Sequence, residues 1–110
     1  MDSIIMSYIT VTYLSKSDMT VAEQEWQKII QKMAPKFKSA GALRQTVSQV
    51  FNKEGAFILA NMWEYKDEKA FVKCQALFRE AEDEFNKNVG NDQKIFPTRG
   101  IILHDVHFND

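Results

Sequence analysis

Two histidines flanking an aspartate, His104, Asp105 and His107, are the side chains of this sequence best suited to moving a proton near neutral pH. They fall on Ile101 to Phe108, where alternation predicts a strand with Ile102, His104, Val106 and Phe108 on one face and Ile101, Leu103, Asp105 and His107 on the other. The three-residue step sends the two imidazoles to opposite faces, so they do not share a metal ion. Asp105 and His107 share a face and form a candidate catalytic pair in which the carboxylate orients the base; the plainer reading is a solvated chain end.

A second group is suited to binding. Ser7, Tyr8, Tyr13 and Asn61 are polar side chains in otherwise apolar strands, the pattern of a pocket that orients a ligand with a few donors. The same residues would equally serve backbone groups or a subunit interface. Trp63 either walls a substrate pocket, stacking on a planar ring, or fills the core. Trp26 and Cys74 lie on apolar helix stripes and read as core, Cys74 as an inert thiol. The sequence has no glycine-rich phosphate loop, metal-ligand spacing or nucleophile motif, so any catalysis is expected to use no cofactor and no metal.

These residues must be positioned by six elements. Ile4 to Leu14, rich in β-branched and aromatic residues, predicts a first strand with Ser7 and Tyr13 on one face and Tyr8 on the other. Thr20 and Glu23 form a capping box that predicts a helix start, and Trp26, Ile29, Ile30, Met33 and Phe37 make its apolar stripe. Pro35 is expected to kink or end that helix. Ala42 to Phe51 and Ala56 to Tyr65 predict two strands joined through Asn52-Lys53-Glu54-Gly55 as a hairpin. Asp67 caps a second helix, whose stripe runs Ala70, Phe71, Cys74, Leu77, Phe78, Ala81 and Phe85 before Asn88-Val89-Gly90-Asn91 ends it. Lys94 to Gly100 reads as loop before the last strand.

The resulting β-α-β-β-α-β order predicts a ferredoxin-like α+β fold: a four-stranded antiparallel sheet with both helices on one face. A length of 110 residues with 45% apolar and 26% charged residues suits a single domain, 1–110, with one core. Both faces of the first and third strands carry large apolar groups, among them Met6, Tyr8, Leu14, Phe57, Ile58, Leu59, Met62 and Trp63. A monomer would expose that second face, so a homodimer with sheets stacked face to face is expected.

Fourteen basic and fifteen acidic residues leave a net charge of −1, which gives no field for nucleic acid or an anionic membrane. The basic residues Lys28, Lys32, Lys36 and Lys38 read as a solvated helix face. A single cysteine excludes an intramolecular disulfide framework and fits the cytoplasm. No apolar run approaches the roughly 18 residues of a membrane span, and Asp2 stands where a secretory leader carries basic residues.

Phe57-Ile58-Leu59-Ala60-Asn61-Met62-Trp63-Glu64-Tyr65 followed by Asp67-Glu68-Lys69-Ala70-Phe71 resembles the antibiotic biosynthesis monooxygenase group of the dimeric α/β barrel proteins. The likeness covers nearly the whole chain. It implies a cofactor-independent monooxygenase acting on a small aromatic or quinone-like substrate in an apolar pocket. The alternative from another class is a non-catalytic dimeric small-molecule-binding or stress-response domain. Haem-degrading relatives pair a first-strand Asn with a third-strand Trp and a second-helix His. Only Trp63 carries over, since Ile4 to Leu14 has no Asn, Asp67 to Asn88 has no His, and Glu82 falls near the ligand position. Polar residues converging beside Trp63 would favour chemistry over simple binding.

Overall fold

A computed structural model describes residues 4–90 and 93–108. Asp2 and Asn91, which enter the expectations above, lie outside the described residues. The elements run β1 (Ile5–Tyr13), α1 (Lys16–Ala40), β2 (Ala42–Gln49), β3 (Phe57–Tyr65), α2 (Glu68–Asn88) and β4 (Lys94–Ile101). The strands form one antiparallel sheet in the order β2-β3-β1-β4, with both helices on one face, the ferredoxin-like arrangement. Among the described residues no helix is long and apolar enough to cross a membrane.

Period-two alternation and cross-strand register together assign the faces. Ile5, Ser7, Ile9, Val11 and Tyr13 of β1 pair across from Tyr65, Trp63, Asn61, Leu59 and Phe57 of β3, and these side chains face the helices. The apolar residues among them meet Ile29, Met33 and Phe37 of α1 and Cys74, Ala81 and Phe85 of α2 in one buried cluster. Met6, Tyr8, Ile58 and Met62 lie on the outer face, where no element among the described residues covers them. Along the helix seam Lys36 bridges Glu80 at 3.1 Å, Lys32 pairs with Glu84, and the Asn88 amide donates to Glu25 at 2.6 Å. Two of the basic residues read as a solvated face thus tie α1 to α2, although such exposed pairs contribute only about 0.2–1 kcal/mol each.

The structure corrects three boundaries. Helix α1 starts a turn earlier than the Thr20–Glu23 spacing predicts, because Ser15 is the cap: its hydroxyl accepts from the Asp18 N–H at 3.0 Å. Thr20 instead donates its hydroxyl to the Lys16 carbonyl at 3.0 Å. Pro35 does not end α1, which runs on to Ala40. The proline removes the N–H that would reach back one turn, but Met33 and Phe37 are buried on either side of it, and that packing holds the helix together.

The third correction moves the last strand. Lys94 to Gly100, read as loop, belongs to β4, and of the expected strand Ile101 to Phe108 only Ile101 is in a strand, as the last residue of β4. Pro97 and Gly100 argue against a central strand, but β4 pairs with β1 alone and leaves its other edge free, where a missing N–H is tolerated. Once Lys94–Ile101 occupies the edge of β1, the following residues have no strand to pair with; only the Ile102 N–H continues the line, donating to the Ile4 carbonyl at 2.8 Å.

Burial of Tyr13 and Tyr65 sets an alkaline limit to stability. Desolvation pushes each phenol from an ordinary 10 up to about 12, a rise that the Ser7 hydroxyl partly offsets at Tyr65. Below pH 10 both states keep these protons and stability is unaffected. Between about pH 10 and 12 the unfolded chain binds fewer protons than the folded one, so stability falls as pH rises. Phenolate absorbance and loss of far-UV circular dichroism should therefore rise together in that window. Tyr13→Phe with Tyr65→Phe should move the loss to higher pH; an unmoved midpoint would show that other groups set the limit.

Candidate functional site

A cavity of about 180 Å³ lies between the helix-facing side of the sheet and the two helices. It is slightly larger than the roughly 150 Å³ that admits benzene to a protein interior, so it suits one or two fused rings. Its floor is set by register. Gln45 of β2 pairs with Trp63 of β3, Trp63 with Ser7 of β1, and Ser7 with Arg99 of β4, placing four lining side chains in one row across the sheet. Asn61 stands two residues along β3 from Trp63 and so on the same face. Trp26 and Ile30 of α1 close the cavity from above with Gln75, Phe78 and Glu82 of α2. Strand β4, uncovered along its length, forms the open side.

The walls are rigid and the polar groups are spare. Trp63 is only 5% exposed, its ring 4.8 Å from Phe37 and 4.8 Å edge-on from Phe78. Trp26 stacks on Phe85 at 4.7 Å, so it belongs to both core and cavity. Ser7 is 3% exposed, and its hydroxyl has one long contact, donating to the Tyr65 hydroxyl at 3.5 Å. The carboxamides of Asn61 and Gln45 make no side-chain hydrogen bond among the described residues and so remain available to a ligand. Glu82 sits at the rim, where burial, with Asp83 adding to it, raises its carboxyl above the usual range.

The residues singled out from the sequence divide into three places. Ser7, Asn61 and Trp63 meet in the cavity. Tyr8 projects from the outer face, 46% exposed, and Tyr13 lies buried at the far end of β1 beside a separate surface hollow lined by Leu14 and Asp18. His104, Asp105 and His107 follow β4 on an exposed segment and none lines the cavity, although the His107 Nε2 does meet the Asp105 carboxylate at 3.1 Å. Cys74 is fully buried, and burial raises its thiol, as befits an inert core residue.

Sequence reasoning passed over Arg99, Gln75 and Gln45 as lining residues. The available signal was Ile95, Pro97 and Arg99 alternating along Lys94–Ile101, masked by the loop-like proline and glycine.

Residues 2–102 match the family described as a domain of unknown function, DUF6974. The chain belongs to that family. No curated protein matches the sequence. Among solved structures this DUF6974 member is similar to a dimeric ferredoxin-like protein from an uncultured marine organism, at 24% identity over 96% of this chain and 100% of that one, TM-score 0.80. It is similar to a monooxygenase of Streptomyces coelicolor in complex with nanaomycin D, at 13% identity over 97% of this chain and 94% of that one, TM-score 0.72. It also resembles SnoaB, a cofactor-independent oxygenase from Streptomyces nogalater, at 13% identity over 99% of this chain and 100% of that one, TM-score 0.53. The DUF6974 chain thus has the fold of the dimeric ferredoxin-like proteins and of the antibiotic biosynthesis monooxygenases that its β3–α2 sequence resembles.

Proposed function

We propose that this protein is a cofactor-independent monooxygenase that oxidises a small aromatic or quinone-like substrate in the cavity beside Trp63. One observation carries the reading: unengaged carboxamides of Asn61 and Gln45 converge with Ser7 on a cavity otherwise walled by Trp63, Trp26 and Phe78. Aromatic walls hold a planar ring, the polar groups fix its oxygens, and an apolar enclosure lowers the cost of bringing the ring and O₂ together. The structural likeness to two oxygenases supports the same class of chemistry.

The reaction balances without an added reductant. A phenol such as 1-naphthol gives up its hydroxyl proton, and the electron-rich carbon opposite bonds to O₂. Loss of that carbon's proton and cleavage of the O–O bond then leave a second carbonyl and one water, so the substrate supplies all four electrons. Glu82, its carboxyl made more basic by burial, accepts the proton lost from the ring carbon in this scheme, while the hydroxyl proton leaves to solvent. His104, Asp105 and His107 have no part in it, because their segment lies outside the cavity.

Under ¹⁸O₂, the protein should accelerate conversion of 1-naphthol to 1,4-naphthoquinone carrying one labelled oxygen. Binding of 1-naphthol without acceleration would leave a ligand-binding domain and overturn the enzyme reading.

The same reading takes residues 1–110 as one domain acting as a homodimer. Tyr8 and Phe96, 46% and 61% exposed, join Met6, Ile58 and Met62 on the outer sheet face, an apolar surface that a second copy would cover. Sedimentation at micromolar concentration should give twice the chain mass of 12.8 kDa. A monomer there would count against sheet stacking, and Tyr8→Glu should produce one.

A further inference from the structure

We infer that Arg99 makes the cavity selective for aromatic ligands that carry an anionic oxygen, a carboxylate or an ionised phenol. The inference rests on the cavity being the ligand site and adds the charge of the ligand and its orientation.

Arg99 lies on the helix-facing side of β4, in register with Ser7, which is in turn in register with Trp63. Two interstrand spacings, about 10 Å, separate the Arg99 and Trp63 backbones, a span that a two-ring ligand bridges with its face on one and its substituent at the other. The guanidinium is lightly held. Its Nη2 donates to the neutral Gln75 Oε1 at 3.5 Å and its Cζ rests 5.2 Å over the Phe71 ring. Among the described residues no carboxylate lies within ion-pairing distance of it. Five N–H donors in a fixed fork, one of them engaged at long range, match an anionic oxygen better than any other ligand group.

The charges also give the cavity a direction. Gln75 stands beside Arg99, while Glu82, the one carboxylate lining the cavity among the described residues, is seven residues further along α2, about 10 Å away. An anionic substituent is drawn to the Arg99 end and repelled from the Glu82 end, so a ring enters with its charged end toward Gln75.

The test uses two ligands of one shape that differ in charge, 2-naphthoate and 2-naphthamide, titrated calorimetrically into the intact protein at pH 7. The wild-type protein should bind the naphthoate at least tenfold more tightly. Arg99→Gln should erase that preference while leaving the amide's affinity within about twofold, and Arg99→Lys should keep part of it. Position 99 is on an exposed edge strand, and circular dichroism of both variants checks that they fold. Equal binding of the two ligands by the wild-type protein, or a preference that survives Arg99→Gln, overturns the role of Arg99 and leaves the cavity assignment standing. Binding of neither ligand overturns the cavity as a ring-binding site, and this inference with it.

Discussion

Replacing Trp63 by alanine should cost about 3 kcal/mol of folding stability and abolish binding of 1-naphthol. The ring is 5% exposed and makes aromatic contacts at 4.8 Å with both Phe37 and Phe78, so its removal strips two other core rings of their neighbour. Truncations of buried Trp or Phe typically cost about 3 to 5 kcal/mol. The lower end applies because the void joins a cavity of about 180 Å³ that opens beside β4, and water can fill part of it. Trp63→Phe should restore most of the stability and part of the affinity. Urea unfolding paired with calorimetric titration reads both quantities on one preparation. A full core-sized loss with affinity unchanged would make Trp63 a packing residue alone and remove the wall on which the proposed function rests.

Gly41→Ala should be as damaging, for a reason unrelated to the cavity. Gly41 ends α1 at φ +103°, where an L-residue is strained by about 1 to 3 kcal/mol. The added methyl would sit 2.6 Å from the Ala70 Cβ, and neither side can yield. Ala70 is buried in the first turn of α2 with its N–H bonded to the Asp67 carboxylate at 2.8 Å, while the Gly41 carbonyl accepts from the Lys66 N–H at 3.1 Å. Overpacking of this kind adds about 1 to 3 kcal/mol, so a total of about 2 to 6 kcal/mol is expected. Gly55→Ala separates the two causes: φ is +77° there but nothing lies within 4 Å of the new methyl, so only the backbone cost, about 1 kcal/mol, remains. Equal effects at both positions would mean that the contact with Ala70 relaxes at no cost.

Most of the secondary structure was legible because its signals are local. The stripe from Ala70 to Phe85 and the Asp67 cap lie within a few turns of one another, and the Asp67 side chain does accept from the Ala70 N–H. The errors arose where a neighbour distant in sequence decided the outcome. Pro35 is overridden by tertiary packing around Met33 and Phe37, and Lys94–Ile101 becomes a strand because β1 presents an edge to it. His104 and His107 alternate as strand residues would, yet they find no partner strand.

The candidate site divides along the same line. Alternation alone placed Ser7 opposite to Tyr8, and Asn61 on the same face as Trp63, since period two is a property of any extended chain. Which face turns toward the helices was not in the pattern, because both faces of β1 and β3 are apolar. Packing of Val11, Leu59 and Trp63 against Ile29 and Phe37 decides it, and with it whether Ser7 or Tyr8 faces a cavity. The row of Gln45, Trp63, Ser7 and Arg99 comes from four separate strands, with Ser7 near one end of the sequence and Arg99 near the other. No local window contains that row: it exists only through cross-strand register, which the hydrogen-bonded sheet sets as a whole.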